Sequence, residues 1–231
     1  MLTNRFTLTL TPFERSWGLR FLLFQQAFLP LLLSLGLELA GISTGNAEFN
    51  ILYLGISFLA TILIFRELLK ESFHNALCNP LAVLSAVVLG LAAYWSMDQL
   101  VSSLIYGFFP NFFNVNDAVI LAEAQREFLL MFLCTVIFAP LSEELLFRGL
   151  LFTLFRQRSR LWAYLVSTLL FCSIHVSGYV GQYEFGVLAL CFLQYVPAGI
   201  ALAWSFEFSD SIYAPIAIHT IINLIATLSM R

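Results

Sequence analysis

The chain has 231 residues, of which 60% are hydrophobic, 16% aromatic and only 11% charged. Soluble domains carry about 25% charged residues and cannot bury this much apolar surface, which excludes a soluble fold, a disordered chain and a secreted disulfide scaffold. With 11 basic and 14 acidic side chains the net charge is -3, so no nucleic-acid partner is expected. The composition predicts an integral membrane protein.

Seven apolar runs are long enough to cross a hydrocarbon core about 30 Å thick, which takes roughly 20 residues of helix. They lie at 21–41, 49–65, 81–104, 128–155, 160–177, 185–206 and 211–230. Backbone polar groups must be paired within lipid, and the runs show no strand-like alternation, so helices are expected. The sequence therefore predicts an all-α polytopic transmembrane bundle of about seven spans, in a single domain covering residues 1–231.

Two segments outside these runs have features of their own. Residues 66–76 are rich in charge and are predicted to form a loop. Residues 108–125 open with four phenylalanines around Pro110 and Asn111, which is typical of an aromatic belt at the membrane interface. Two alternatives stay open for 108–125: an eighth, partial span, and an amphipathic gate beside a buried site.

The basic residues predict the orientation, because Lys and Arg accumulate on the cytoplasmic side of membrane proteins. A cytoplasmic amino terminus places eight of them on that side: Arg5, Arg15, Arg20, Arg66, Lys70, Arg156, Arg158 and Arg160. Only Arg126 and Arg231 then fall on the opposite side, and Arg148 lies within a span. We expect an N-in protein of a bacterial inner (plasma) membrane, with membrane lipids as partners.

The fourth run contains charged side chains at a depth where each costs several kcal/mol unless it is paired or faces water. Glu144 and Arg148 are four residues apart, so they are expected to pair along one helix face and to support the site. Glu143 points about 100° away from Glu144 and has no such partner in its own helix. Glu143 is therefore the carboxylate available for chemistry.

Two more apolar runs contain histidines at a similar depth. His175 lies in the fifth run, and His219 shares a helix face with Asn223 in the seventh. At about 1.5 Å per residue, Glu143 and His175 lie roughly 20 Å from the cytoplasmic edge, and His219 lies roughly 15 Å from the start of its run. The three groups are therefore expected in one layer near the middle of the bilayer.

Such a cluster can activate water in two ways. A buried glutamate can act as a general base, while a histidine and an asparagine stabilise an oxyanion. A glutamate with two histidines is also the ligand set of a catalytic zinc site. Both versions hydrolyse an acyl bond, so the cofactor stays open between none and a divalent metal such as zinc. Each residue taken alone can instead serve helix packing.

Three motifs stand on three different predicted helices: EExxxR at 143–148, FxxxH at 171–175 and HxxxN at 219–223. Together they resemble the motif set of the CPBP family of intramembrane proteases. That family includes the eukaryotic CAAX prenyl endopeptidases and bacterial bacteriocin-processing or self-immunity proteins. The resemblance covers roughly residues 127–228, which would be the CPBP-like catalytic core.

The resemblance implies an intramembrane endopeptidase, either glutamate- or metal-dependent, that cleaves a membrane-associated or lipidated protein or peptide. Glu143 would activate water with His175 as its partner. His219 and Asn223 would form the oxyanion site, and the Glu144–Arg148 pair would hold the helix. Two other functions remain possible from sequence: a non-catalytic membrane binder or self-immunity protein that retains the polar cluster for structure, and a small transporter or proton relay.

Overall fold

The structure is a computed structural model that describes residues 6–229, so Arg5, Arg231 and residue 230 of the seventh run lie outside it. All regular elements in this range are helices. They are α1 (Pro12–Ala27), α2 (Leu29–Leu39), α3 (Asn46–Ile64), α4 (Arg66–Cys78), α5 (Pro80–Phe108), α6 (Val115–Arg126), α7 (Phe128–Arg156), α8 (Arg160–Ser177), α9 (Phe185–Ser209) and α10 (Tyr213–Ser229). The predicted all-α membrane bundle is confirmed.

The number of long helices differs from the seven predicted spans, because two of the seven predicted runs do not form single long helices. Five helices (α3, α5, α7, α8 and α9) are long and apolar enough to cross a membrane. A sixth span forms if α1 and α2, which meet at a 55° bend, count as one. Pro30 lies in the first turn of α2 and has no N–H to continue α1, which accounts for the break. The seventh run is the shorter apolar helix α10.

The two segments between the predicted spans are also helical. The prediction of a loop at 66–76 was wrong: α4 covers it, with Leu68 and Ser72 buried against the bundle and the charged side chains outside. Within 108–125, Asn114 caps the 12-residue helix α6. At about 1.5 Å per residue α6 is roughly 18 Å long, too short to cross a bilayer, so it is not an eighth span.

Two acidic residues, the buried Glu14 and the half-buried Asp210, tie the amino-terminal helices to each other and to α9. Glu14 is only 1% exposed and caps two helices, because it accepts hydrogen bonds from the backbone N–H groups of Thr11 (2.9 Å) and Leu68 (2.7 Å). Asp210 ends α9 in a left-handed conformation (φ 50°), and its backbone carbonyl accepts a hydrogen bond from Asn75 of α4 at 3.0 Å. Helices α1, α4 and α9 are thereby held in register.

Helix α7 lies at the centre of the molecule. In the most apolar 18-residue stretch of α7, 50% of the residues are buried, whereas the corresponding share for α5 is 11%. The leucines of α5 mostly face outward towards lipid. Edge-to-face aromatic pairs hold α7 to its neighbours: Phe147 with Phe171 of α8, and Phe152 with Phe206 of α9, both with ring centroids 5.7 Å apart. The helix that carries two of the predicted acidic residues is thus enclosed by the others.

Two stretches of α7 are wound as π-helix, at Leu133–Phe138 and at Leu145–Phe152. At the end of the first, the N–H of Ala139 bonds to the carbonyl of Cys134 rather than to that of Thr135. The next residue, Pro140, has no N–H to offer. The Thr135 carbonyl therefore has no backbone donor at either the α or the π position, and π-helical turns of this kind recur at functional sites.

Candidate active site

The three motifs face one cavity of about 530 Å³. Glu143 reaches it from α7, His175 from α8, and His219 with Asn223 from α10. Much of the remaining wall is polar and comes from residues before 125, on α1, α3, α5 and α6. Glu144 and Arg148 do not line the cavity; they lie behind it and are fully buried. The predicted site residues are thus adjacent in space, in two layers.

Glu143 and His175 form the layer that faces the cavity. Their Oε2 and Nε2 atoms are 3.9 Å apart, too far for a direct hydrogen bond, and each side chain is 15% exposed. His175 Nδ1 lies 2.8 Å from the backbone carbonyl of Phe171. Because a carbonyl can only accept, Nδ1 carries the proton, and Nε2 keeps its lone pair on the side of Glu143. Glu143 Oε2 is itself buried without a hydrogen-bond partner among residues 6–229.

The imidazole of His175 is held by a stacked tyrosine. The rings of His175 and Tyr195 are 4.2 Å apart between centroids and inclined by 30°. Tyr195 on α9 donates its hydroxyl hydrogen to Asp117 (2.9 Å) and accepts a hydrogen bond from Asn116 (3.0 Å), both on α6. Desolvation raises the pKa of Asp117, while the Tyr195 hydrogen bond and the nearby His175 lower it. Helix α6 thus helps to orient His175.

Glu144, Arg148 and His219 form the second layer. Glu144 Oε1 accepts hydrogen bonds from Arg148 Nη1 (2.9 Å) and from His219 Nδ1 (2.8 Å). Glu144 and Arg148 are both completely buried. Arg148 also donates to the carbonyl of Gly199 (3.1 Å), and its guanidinium lies 4.4 Å from the centre of the Phe171 ring. The predicted i,i+4 pair is present in the structure, and it ties α7 to α8, α9 and α10.

The position of Gly199 depends on its missing side chain. A Cβ atom there would lie 2.6 Å from the Thr168 methyl group on α8, so α8 and α9 could not approach as closely. That close approach brings the Gly199 carbonyl to Arg148. Hydrogen bonds to Nη1 and Nη2 from two sides help to make this arginine tolerable in the core of a membrane bundle, while Nε has no hydrogen-bond partner among residues 6–229.

The bond to Glu144 limits what His219 can donate. Because a carboxylate accepts, His219 Nδ1 carries the proton, and in the neutral ring Nε2 can then only accept. An oxyanion needs a donor, so His219 can stabilise one only as an imidazolium. Glu144 is placed to stabilise that cation, although it already balances the charge of Arg148.

Asn223 has a structural partner that the sequence did not indicate. Its side-chain amide donates to the carbonyl of Thr135 at 2.8 Å. This is the carbonyl that π-winding and Pro140 leave without a backbone donor. Asn223 therefore satisfies a buried carbonyl on the neighbouring helix, and one amide hydrogen is left for any role in the cavity.

Sequence reasoning missed several polar side chains of the cavity wall. On α5 they recur every four residues along one face: Tyr94, Asp98, Ser102 and Tyr106. An aspartate in an apolar run, with polar neighbours at this spacing, was a signal that could have been found. Asp117, Tyr195 and the buried Gln25 carry no comparable signal, because their place in the wall depends on how α1, α6 and α9 pack.

The donor atoms of the cluster do not form a metal centre. Residues 6–229 include no group of three or more His, Cys, Asp or Glu side chains arranged to hold a metal ion. His175 and His219 each use Nδ1 for another acceptor, which leaves their Nε2 atoms and Glu143 as candidate donors, and these three groups are not arranged to hold a metal ion. The residues present do not fit the three-ligand zinc site considered from sequence.

Comparison with known protein families covers the second half of the chain. Residues 125–225 match the family described as Rce1-like, type II CAAX prenyl endopeptidase Rce1-like. This match covers a little under half of the chain. The resemblance to the CPBP proteases is thereby confirmed, and the protein is a membrane protein with a CAAX-type intramembrane protease region. Comparisons with curated proteins and with solved structures gave no match.

The Rce1-like match includes all the helices that present the three motifs. It begins at the end of α6 and runs into α10, so Glu143, His175 and His219 lie within it. The cavity wall opposite these residues, including Asp98 and Asp117, precedes it. The match therefore extends to the part of the cavity that bears the motif residues.

Proposed function

We propose that this Rce1-like protein is an endopeptidase in which Glu143 activates a water molecule for attack on a peptide bond inside the membrane. The observation that carries the proposal is the arrangement of Glu143 Oε2 and His175 Nε2, which are 3.9 Å apart beside one cavity. Neither atom makes a hydrogen bond to a described residue. A single water about 2.8 Å from each atom fits this gap.

In the proposed mechanism the two acceptors orient the water. Its two O–H groups point to Glu143 and His175, so an oxygen lone pair faces the carbonyl carbon of the substrate. Glu143 takes one proton as the C–O bond forms, and the proton then passes to the leaving nitrogen as the C–N bond breaks. The Phe171 carbonyl and the Tyr195 ring keep His175 in the tautomer and orientation that this step needs.

The developing oxyanion is assigned to the other side of the cavity. His219, as an imidazolium stabilised by Glu144, donates from Nε2, and Asn223 contributes the amide hydrogen not used by Thr135. Arg148 holds Glu144 in place through a hydrogen bond. Glu144 and Arg148 are therefore positioning residues, and none of these steps uses a metal ion.

The proposed substrate is a peptide or a membrane-associated protein, and prenylation is not required. We further propose that residues 127–228 are the catalytic core of a single 1–231 domain, in a bacterial inner membrane with a cytoplasmic amino terminus. Membrane lipids surround the exposed leucines of α2, α3 and α5. A non-catalytic binder or self-immunity protein is the competing function, because a buried polar cluster also stabilises a bundle.

The test compares wild type, Glu143→Gln and the control Glu127→Gln in detergent, each with a pool of lipidated and membrane-inserted peptides. Glu127 immediately precedes the same helix, is exposed and lies outside the cavity. We expect cleavage by wild type and Glu127→Gln and none by Glu143→Gln, with no effect of a chelator. Cleavage that survives in Glu143→Gln contradicts the mechanism, and loss with chelator that zinc restores favours metal dependence. Equal peptide binding by all three proteins without cleavage favours the binder.

A further inference from the structure

The part of the cavity wall formed by α5 and α6 carries negative charge. Along α5 its lining side chains lie at four-residue intervals, with Asp98 in the middle of the row. Asp117 joins it from α6, and the like charges of the two aspartates repel each other. Together with Glu143 they place three carboxylates around one cavity.

No lysine or arginine among residues 6–229 lines this cavity. The arginine of the EExxxR motif, Arg148, is fully buried and already bound to Glu144 and Gly199. The free carboxylate at the end of a protein chain would therefore lie among three carboxylates with only the two histidines as possible cations. A positive charge in the same place would offset the repulsion between Asp98 and Asp117.

Two hydrogen-bond acceptors of this wall, the Asp98 carboxylate and Gln25 Oε1, have no donor among the described residues. Asp98 makes no hydrogen bond or ion pair with a described residue, and Asp117 accepts one hydrogen bond from a side chain, that of Tyr195. Independently of these carboxylates, Gln25 on α1 lines the same cavity, is only 4% exposed and has no partner for Oε1. Asp98 is half-buried and Asp117 is exposed, so both can be hydrated, whereas Gln25 Oε1 is a buried acceptor without a donor. Buried acceptors are normally satisfied, so this one favours a ligand that supplies an N–H group.

The acidic wall is close to the reacting atoms. Asp117 is bonded to the Tyr195 hydroxyl, and the Tyr195 ring stacks on His175. One tyrosine side chain therefore separates Asp117 from His175. At about 3.4 Å per residue, this corresponds to no more than about three residues of an extended substrate chain.

We infer that the segment of substrate bound in this cavity is cationic, with a Lys or Arg side chain or a free α-amino group held by Asp98 and Asp117 within about three residues of the cleaved bond. The inference rests on the endopeptidase function proposed above and names its substrate class. It separates this protein from an enzyme that recognises a carboxyl-terminal carboxylate inside its catalytic cavity.

The experiment uses membrane-anchored peptides that are identical except at one position, which carries Lys, Arg, norleucine or Glu. A second series has a free or an acetylated amino terminus near the same place. Wild type is compared with Asp98→Asn, Asp117→Asn and the control Glu184→Gln, an exposed carboxylate outside the cavity. We expect wild type and Glu184→Gln to cleave the Lys or Arg peptide with kcat/KM about tenfold or more above norleucine, and each Asn variant to lose most of that ratio.

Binding to Glu143→Gln separates this inference from the proposed function. Labelled peptides of the same series are titrated against Glu143→Gln alone and combined with Asp98→Asn. Tighter binding of the cationic peptide that depends on Asp98, with no cleavage by wild type, supports the cationic site and refutes the protease. Cleavage by wild type with no preference for Lys, Arg or a free amine overturns the cationic site and leaves the protease. A preference confined to the acetyl-sensitive series assigns the site to an amino terminus.

Discussion

The hydrogen bond from Asn223 to the Thr135 carbonyl predicts a mutational coupling that a catalytic role alone would not produce. Asn223→Ala leaves that carbonyl without a donor, since Ala139 bonds to Cys134 and Pro140 has no N–H. Interhelical hydrogen bonds in membrane bundles are worth about 0.6 kcal/mol on average and up to about 1.7 kcal/mol. Because this carbonyl has no alternative backbone partner, we expect a loss of about 1–2 kcal/mol of unfolding free energy.

Pro140→Ala supplies the missing donor. With an N–H at position 140, the Thr135 carbonyl can be satisfied within α7, so the further loss of Asn223 should cost less than about 0.5 kcal/mol. The assay is reversible unfolding in mixed micelles with increasing denaturing detergent, for both single variants and the double variant. Thr227→Val is the matched control, because Thr227 contacts the Thr135 hydroxyl (3.1 Å) from the same helix and not its carbonyl.

Thr227→Val should lower the unfolding free energy by the same amount in the wild-type and the Pro140→Ala proteins, whereas Asn223→Ala should lower it less in Pro140→Ala. If Asn223→Ala lowers it equally in both proteins, Asn223 is not needed as the donor to the Thr135 carbonyl. Cleavage by the double variant then measures the catalytic contribution separately. A kcat that stays low after stability has been restored indicates that the second amide hydrogen of Asn223 acts on the oxyanion.

Three further predictions concern the layers around the site. Arg148→Met should lower the unfolding free energy by about 3 kcal/mol or more, because it leaves the buried Glu144 unpaired. Adding Glu144→Gln to that variant should recover part of the lost stability. If the double variant is as unstable as Arg148→Met, the pairing argument is wrong. Because the pKa of Asp117 is raised in the folded protein, its contribution to the unfolding free energy is favourable at acid pH and is lost as pH rises through that pKa. The unfolding free energy of Asp117→Asn should therefore rise relative to that of wild type between acid and neutral pH. A difference between the two proteins that does not change with pH would contradict this prediction. Tyr195→Leu removes the ring stacked on His175, so it should lower kcat more than it raises KM and should shift the pH profile of cleavage. Tyr195→Phe keeps the stacked ring and should keep most of the cleavage rate. An unchanged kcat in Tyr195→Leu would show that His175 needs no stacked ring.

The sequence was sufficient for the parts of the site that depend on helix geometry alone. The Glu144–Arg148 pair follows from four-residue spacing, and the common depth of Glu143, His175 and His219 follows from counting along apolar runs. Counting along a helix axis does not fix the rotation of one helix against another. The bond from His219 to Glu144 and the stacking of Tyr195 on His175 depend on that rotation, so they were not predicted.

The errors in the fold also have local causes. Charge density in 66–76 was taken for a loop, but α4 needs only its Leu68 and Ser72 face to pack, and Glu14 supplies its amino-terminal cap from far away in sequence. The first apolar run contains Pro30, and a proline can either kink a span or break it. Only the packed structure shows the 55° bend between α1 and α2.

The cavity is assembled from two stretches of chain with different duties. Residues 125–225 supply the groups proposed to break the bond, while α1, α3, α5 and much of α6 supply the surface against which a substrate would rest. Under the proposed function, substitutions in the first stretch should alter how water is activated, and substitutions in the second should alter which chain is accepted. Asp117 contributes to both, because it also holds Tyr195 against His175. An exchange of Asp98 should therefore retarget the enzyme without disturbing its chemistry, and grafting α1 to α5 from another bundle onto this core is a practical way to redirect cleavage.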